Sequence, residues 1–204
     1  MSASVVINNI RLKSKSNHKN ALHLQKKEIL YFEAENTLKL EIFMSLKVIA
    51  FGEALFDLYH SEDNQNSIGM EAYSGGAPMN FISACSKFGA KPCIFYTNLT
   101  DSIYSQKLKK ILAGFDIKVR TQRHPIEPPT AIVMENGDFS FHITQNTFKF
   151  SKWAFKRRDF WGADLFHCGS LYLTTKEGFK ATLKAARRAR KKGIIVSFDV
   201  NYRQ

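Results

Sequence analysis

Apolar residues in this chain gather in short runs, several of them ended by glycine, with stretches between where they recur every three or four positions. Residues 46–52 form the first such run and read as a buried strand. Residues 55–59 read as an edge or lid strand. Residues 78–88 carry Phe81, Ala84, Cys85 and Phe88 at helical spacing, with Pro78 in the first turn and Gly89 as the stop. Residues 93–96 read as another strand. Asp101 or Ser102 can cap a helix reaching Ala113, closed by Gly114. The runs 130–134 and 139–143 flank Asn136-Gly137, a hairpin signal. Residues 164–170 make a further buried strand. Thr174 and Glu177 fit a capping box that opens a helix burying Phe179, Leu183 and Ala186 and stopping at Gly193. Residues 194–199 form the last strand.

Strands alternating with helices predict an α/β fold: a mostly parallel sheet covered on both faces, with the Asn-Gly hairpin as a small antiparallel lid. Residues 1–43 read differently. The stretch 13–20 is polar and without period, and Met44 stands directly before the first strand. The expectation is a non-core extension, disordered or an over-long start, followed by a working domain over 44–204. A sheet that ends near residue 203 leaves an open edge, so self-association of 44–204 is expected.

The chain has 204 residues and a formal net charge of +12, from 30 Lys and Arg against 18 Asp and Glu. Composition is globular, with 44% hydrophobic and 24% charged residues. No apolar run approaches the ~18 residues of a membrane span. The start carries no basic leader. Three cysteines without a C-x-x-C pair argue against a disulfide framework and fit a reducing cytoplasm. The positive charge permits a polyanion partner, but residues 1–43 already hold seven Lys and Arg, so it is not one block. The seven Lys and Arg within 180–192 read as the wet face of an amphipathic helix. The basic and aromatic stretch 148–161 imitates a single-strand binding platform, yet reads better as a loop and short helix packing before a strand. His167-Cys168 reads as core, not as a metal or nucleophile pair. Asn98-Leu99-Thr100 matches a glycosylation pattern by chance.

In open α/β sheets, ligands bind beyond the carboxyl ends of the strands. Three segments stand there: Gly52 to Asp57, Ser74 to Asn80, and Asp199 to Arg203. Gly75-Gly76 lets backbone approach a ligand, and the following helix start offers free N–H groups. Asn80 can donate and accept, and Asp57 suits paired hydroxyls. Taken singly, Gly75-Gly76 fits a plain turn and Asp57 a solvated loop carboxylate.

Together these segments resemble the PfkB or ribokinase family of carbohydrate kinases, its fructokinase branch most, over about residues 44–204. Gly52-Glu53-Ala54-Leu55-Phe56-Asp57 is similar to the family's opening Gly-Glu-x-Leu-x-Asp. Gly75-Gly76-Ala77-Pro78-Met79-Asn80, with Gly89, is similar to its first signature. Residues 99–105 resemble its Val-Gly-Asp-Asp-x-x-Gly stretch, and residues 164–170 and 197–203 its later strands. The resemblance implies a ribokinase-like three-layer α/β/α fold with a β lid, C-terminally truncated. It implies that Asp57, Gly75, Gly76 and Asn80 line a sugar pocket. Asn201 and Arg203 then stand at its far side, where substrate and transferring phosphate meet. It implies ATP and Mg²⁺ for the complete enzyme, fructose or a similar neutral hexose as substrate, and allows a homodimer joined through the lid.

The departures are specific. Ile82 stands where a small residue is usual, Thr100 and Ser105 replace glycines, Gln145 falls near a frequent lid arginine, and Val200 replaces a proline. The catalytic Gly-Ala-Gly-Asp signature, whose Asp is the general base, is absent from the 204 residues. The isolated chain is therefore expected to have no catalytic residue of its own and no turnover. The rival expectations are a non-catalytic sugar-binding remnant or partner of a full-length kinase and, more weakly, a basic RNA-binding protein.

Overall fold

The computed structural model describes residues 46–62, 66–134, 139–143 and 146–201. The expected extension over 1–43, the hairpin turn 135–138, Gln145 and Arg203 lie outside the described residues.

The described chain runs β1 Val48–Phe51, β2 Leu55–His60, β3 Met70–Gly75, α1 Ala77–Lys87, β4 Cys93–Tyr96, α2 Ile103–Gly114 and β5 Ile117–Arg120. It continues with β6 Thr130–Val133, β7 Phe139–His142, β8 Leu165–Gly169, α3 Lys176–Lys191 and β9 Ile195–Asp199. Short 3₁₀ turns occupy Arg157–Phe160 and Ser170–Thr174. The main sheet has the order β5-β4-β1-β8-β9 and is parallel throughout. A second sheet has the order β3-β2-β6-β7. In it β2 pairs antiparallel with β3 and parallel with β6, and β6 and β7 form the expected hairpin, Val133 opposite Phe139.

The period of two along β1 divides the core. Ile49 and Phe51 enter the cluster beneath α3 and the 148–163 segment. Val48 and Ala50 enter the cluster beneath α1 and α2. Strand β4 repeats the pattern, Ile94 and Tyr96 against Cys93 and Phe95. Three layers result, as alternation of buried strands and helices requires.

Several local expectations shift. Helix α1 buries Pro78, Met79, Ile82 and Cys85. Ala84 and Phe88 are exposed, so the predicted face is rotated. Ile82 is fully buried in the cluster under α1 and α2. Helix α3 buries Gly178, Ala181, Thr182, Ala185 and Ala189, while Phe179 is half exposed. Its cap is Thr175, which accepts from the Gly178 amide. Thr174 instead donates to the Leu171 carbonyl at 2.7 Å. Of the two expected cap candidates, Asp101 and Ser102, it is Ser102 that caps α2. The hydroxyls at Thr100 and Ser105 bond there too, with the Thr100 amide donating to Ser105 Oγ and Glu127 accepting from Thr100 and Ser102. Strands β3 and β5 escape the sequence reading. Asn98 is buried and its Nδ2 donates to the Lys149 carbonyl, which removes it as a glycosylation acceptor.

The 148–161 stretch divides as its chemistry demands. Phe148, Phe150, Phe155 and Phe160 are core, while Trp153 and Trp161 are exposed. Asp159 is buried and receives Tyr96 Oη at 2.6 Å and Arg120 through Nε and Nη2. Burial by itself pushes the Asp159 carboxyl up, but the Arg120 and Tyr96 hydrogen bonds outweigh it and hold the carboxyl low.

His167 is core, as its place in a buried strand predicts. Its ring stacks on Phe81 at 3.8 Å and shares a hydrogen bond with Ser197 Oγ at 3.0 Å. Burial pushes its pKa down to about 4, against a smaller opposing pull from Asp199. A depressed histidine contributes fully above its unfolded value near 6.5 and loses that contribution as pH falls toward 4. The loss is about 3 kcal/mol. Urea midpoints measured across that window should fall with pH, and His167→Gln should flatten the slope. An unchanged slope would reject this assignment.

Candidate sugar site

Beyond the carboxyl end of β1, the chain turns through Gly52-Glu53-Ala54 into lid strand β2. Beyond β8 it enters the Ser170–Thr174 turn, and beyond β9 it reaches Asn201. These ends and the start of α1 surround a cavity of about 140 Å³. Pockets for drug-sized ligands run to ~300–1,000 Å³, so this one suits a smaller molecule. Four of the six residues that the sequence singled out line it: Asp57, Gly76, Asn80 and Asn201. Gly75 stands beside it, and Arg203 lies outside the described residues.

Asp57 sits on β2 opposite Tyr73 of β3, half buried. Gly75 is what leaves space for it, because a Cβ there would come within 2.2 Å of Asp57 Oδ2. Gly76 has φ 104°, and a Cβ on it would approach the Glu53 carbonyl to 2.6 Å. Both the conformation and the close approach need glycine. Asn80, in the first turn of α1, is solvent-exposed.

The sequence missed Glu53, Ser170 and Phe141, all of which line the cavity. Glu53 and Ser170 lie within the quoted strand-end segments, and their places directly beyond β1 and β8 were the available signal. Asn201 Nδ2 donates to Ser170 Oγ at 2.8 Å, and Ser170 Oγ donates to Glu53 Oε1 at 2.7 Å. Glu53 is 2% exposed and its Oε2 has no hydrogen-bond partner among the described residues. Burial raises its pKa, opposed by the Ser170 hydrogen bond and nearby backbone amides. Ser170 and Asn201 both hold positive φ, 63° and 44°. Strain of this kind costs ~1–3 kcal/mol per residue and collects at functional sites. The pocket thus joins hydroxyl-matching carboxylates and amides to one aromatic wall, Phe141 of the lid.

The fold is that of the ribokinase-like carbohydrate kinases. In sequence the chain is similar to fructokinases over part of their length. It is 28% identical over 170 residues to Probable fructokinase-2 of Arabidopsis thaliana, covering 77% of this chain and 50% of that protein. A fructokinase of Xylella fastidiosa, solved with bound ATP, superimposes with TM-score 0.65 at 26% identity, covering 78% of this chain and 53% of that one. A 2-dehydro-3-deoxygluconokinase of Thermotoga maritima shares the fold, with TM-score 0.66 at 21% identity and 78% and 51% coverage. The chain therefore spans about half the length of the relatives it matches. No protein-family model matches it.

Proposed function

We propose that this chain is the sugar-binding and lid part of an ATP-dependent carbohydrate kinase, with fructose or a similar neutral hexose as its ligand. The observation that carries this reading is the convergence of Asp57, Asn80 and Asn201 on one small cavity beneath the lid residue Phe141. The Asp57 carboxylate accepts from sugar hydroxyls, and the amides of Asn80 and Asn201 donate and accept around the ring. Gly75 and Gly76 let backbone and the Asp57 carboxylate approach closely. Arg203 follows two residues beyond Asn201, where its guanidinium suits anionic oxygens. Phe141 and the lid sheet exclude water when a sugar is bound.

ATP supplies the phosphoryl group in such kinases, and the Xylella fructokinase was solved with ATP. Among the described residues no group of three or more His, Cys, Asp or Glu could hold Mg²⁺. The Gly-Ala-Gly-Asp segment is absent from the 204 residues. Three buried free cysteines support a reducing compartment such as the cytoplasm. Among the described residues no helix is long and apolar enough to cross a membrane. A second reading, a non-catalytic sugar-binding partner of a full-length kinase, draws support from edge strand β9, where Ile195 and Phe198 are exposed. A lid-mediated homodimer draws support from Tyr59, Met70 and Tyr73, exposed on β2 and β3.

Calorimetric titration of the 204-residue chain with D-fructose should give saturable binding. A coupled assay with ATP, Mg²⁺ and fructose should show no ADP release. Absence of sugar binding would defeat the main reading, and fructose-dependent ADP release would defeat the expectation of inactivity.

A further inference from the structure

Helix α3 and the 148–161 segment are separate in sequence; the first reads as the wet face of an amphipathic helix, the second as a loop and short helix packing before a strand. The fold brings them side by side. Between them runs a groove of about 860 Å³, and eight of its ten lining residues are Lys or Arg. Lys152 and Arg157 come from one wall and Lys180, Lys184, Arg187 and Lys191 from the other. No carboxylate lines it among the described residues. Asp159, the acid of that segment, is buried and bound to Arg120. Trp161 lines the groove and is 65% exposed. Trp153, 75% exposed, stands beside it with Lys184 Nζ 3.1 Å from its ring centroid.

We propose that this groove binds a single-stranded polynucleotide, apart from the sugar pocket. From Lys180 to Lys192 the helix spans ~18 Å, which is longer than a lone phosphate requires. Cations that track a backbone beside exposed aromatics that stack on bases are the elements of sequence-tolerant single-strand binding. The concave form disfavours a flat lipid surface. Like charges already crowd the site. Desolvation, then Arg188, Lys152 and Arg157, lowers the Lys184 pKa, and a polyanion relieves that repulsion.

The test is fluorescence anisotropy of a labelled single-stranded oligouridine of about twelve nucleotides. It is titrated with the 204-residue chain between about 50 and 200 mM salt. Affinity should fall steeply with salt. The variant Lys180→Ala/Arg187→Ala/Lys191→Ala removes three exposed groove cations and should weaken binding tenfold or more. It should also shrink the log–log salt slope by about 2, at ~0.7 per phosphate contact. Trp161→Ala should lose fivefold or more. Lys107→Ala/Lys110→Ala/Lys118→Ala removes equal exposed charge elsewhere and should leave binding within twofold. Equal loss in both triple variants would overturn the proposal, as would absence of binding at the lowest salt. Groove-dependent binding to phosphatidylserine vesicles without binding to the oligouridine would also overturn it. Fructose titration of the groove variant should match the parent, so this result and the sugar reading stand or fall separately.

Discussion

Asp57→Ala is expected to weaken fructose binding at least a hundredfold, while the fold survives. A carboxylate that accepts two sugar hydroxyls makes two charge-assisted hydrogen bonds, each ~1.5–3 kcal/mol. Even the lower sum, about 3 kcal/mol, is a hundredfold in affinity. Asp57 is only half buried on β2, so its loss leaves no sealed cavity. Circular dichroism and the urea midpoint should therefore stay close to the parent while calorimetric heat disappears. Asp57→Asn keeps the shape and loses the charge, and should retain weak binding. Undiminished affinity in Asp57→Ala would remove Asp57 from the site and leave the cavity without its principal acceptor.

Phe51→Ala is expected to cost about 4–5 kcal/mol of stability. Large-to-small changes at a buried aromatic cost ~3–5 kcal/mol through lost transfer energy and the remaining cavity. Phe51 is fully buried and meets three rings, Phe150 at 4.9 Å and Phe155 and Tyr172 each at 5.0 Å. Such ring pairs add ~0.5–1.5 kcal/mol beyond area burial. Domains hold only ~5–15 kcal/mol in total, so the variant should sit near its unfolding threshold. Phe51→Leu fills most of the volume and should cost less than half as much. Urea unfolding of the three proteins measures the difference. A loss under 2 kcal/mol in Phe51→Ala would show that the 148–161 segment is not anchored on β1.

The site was more legible in the sequence than its supports were. Strand ends drew attention to the segments that hold Asp57, Gly76, Asn80 and Asn201, and the resemblance of those segments to known motifs singled out the residues. Glu53 and Ser170 stood at the same strand ends and were passed over. Their importance comes from touching each other across 117 positions, through a hydrogen bond that only folding creates. Strand β3 was missed because its residues are mostly exposed and show no apolar alternation. Strand β5 was missed because an edge strand of four residues gives almost no periodic signal.

The helix faces show the same limit from another side. Phe88 and Phe179 drew the sequence reading because large apolar residues dominate any periodic count. The sheet chose Ala181, Ala185 and Ala189 on α3 instead, with Gly178 so close to the Tyr172 carbonyl that a Cβ would come within 2.1 Å. Close helix–sheet approach rewards small residues, which local patterning undervalues.

The sequence by itself determined the alternation of buried strands and helices, the antiparallel hairpin, a cap at Asp101 or Ser102 and the strand-end segments that reach the pocket. Each of these depends on neighbours within a few positions of one another. The tertiary structure alone decided which helix faces are buried, where β3 and β5 pair, how Glu53, Ser170 and Asn201 join, and that two basic segments form one groove. Those features are contacts between distant parts of the chain, and periodicity carries no record of which distant surface an element will meet.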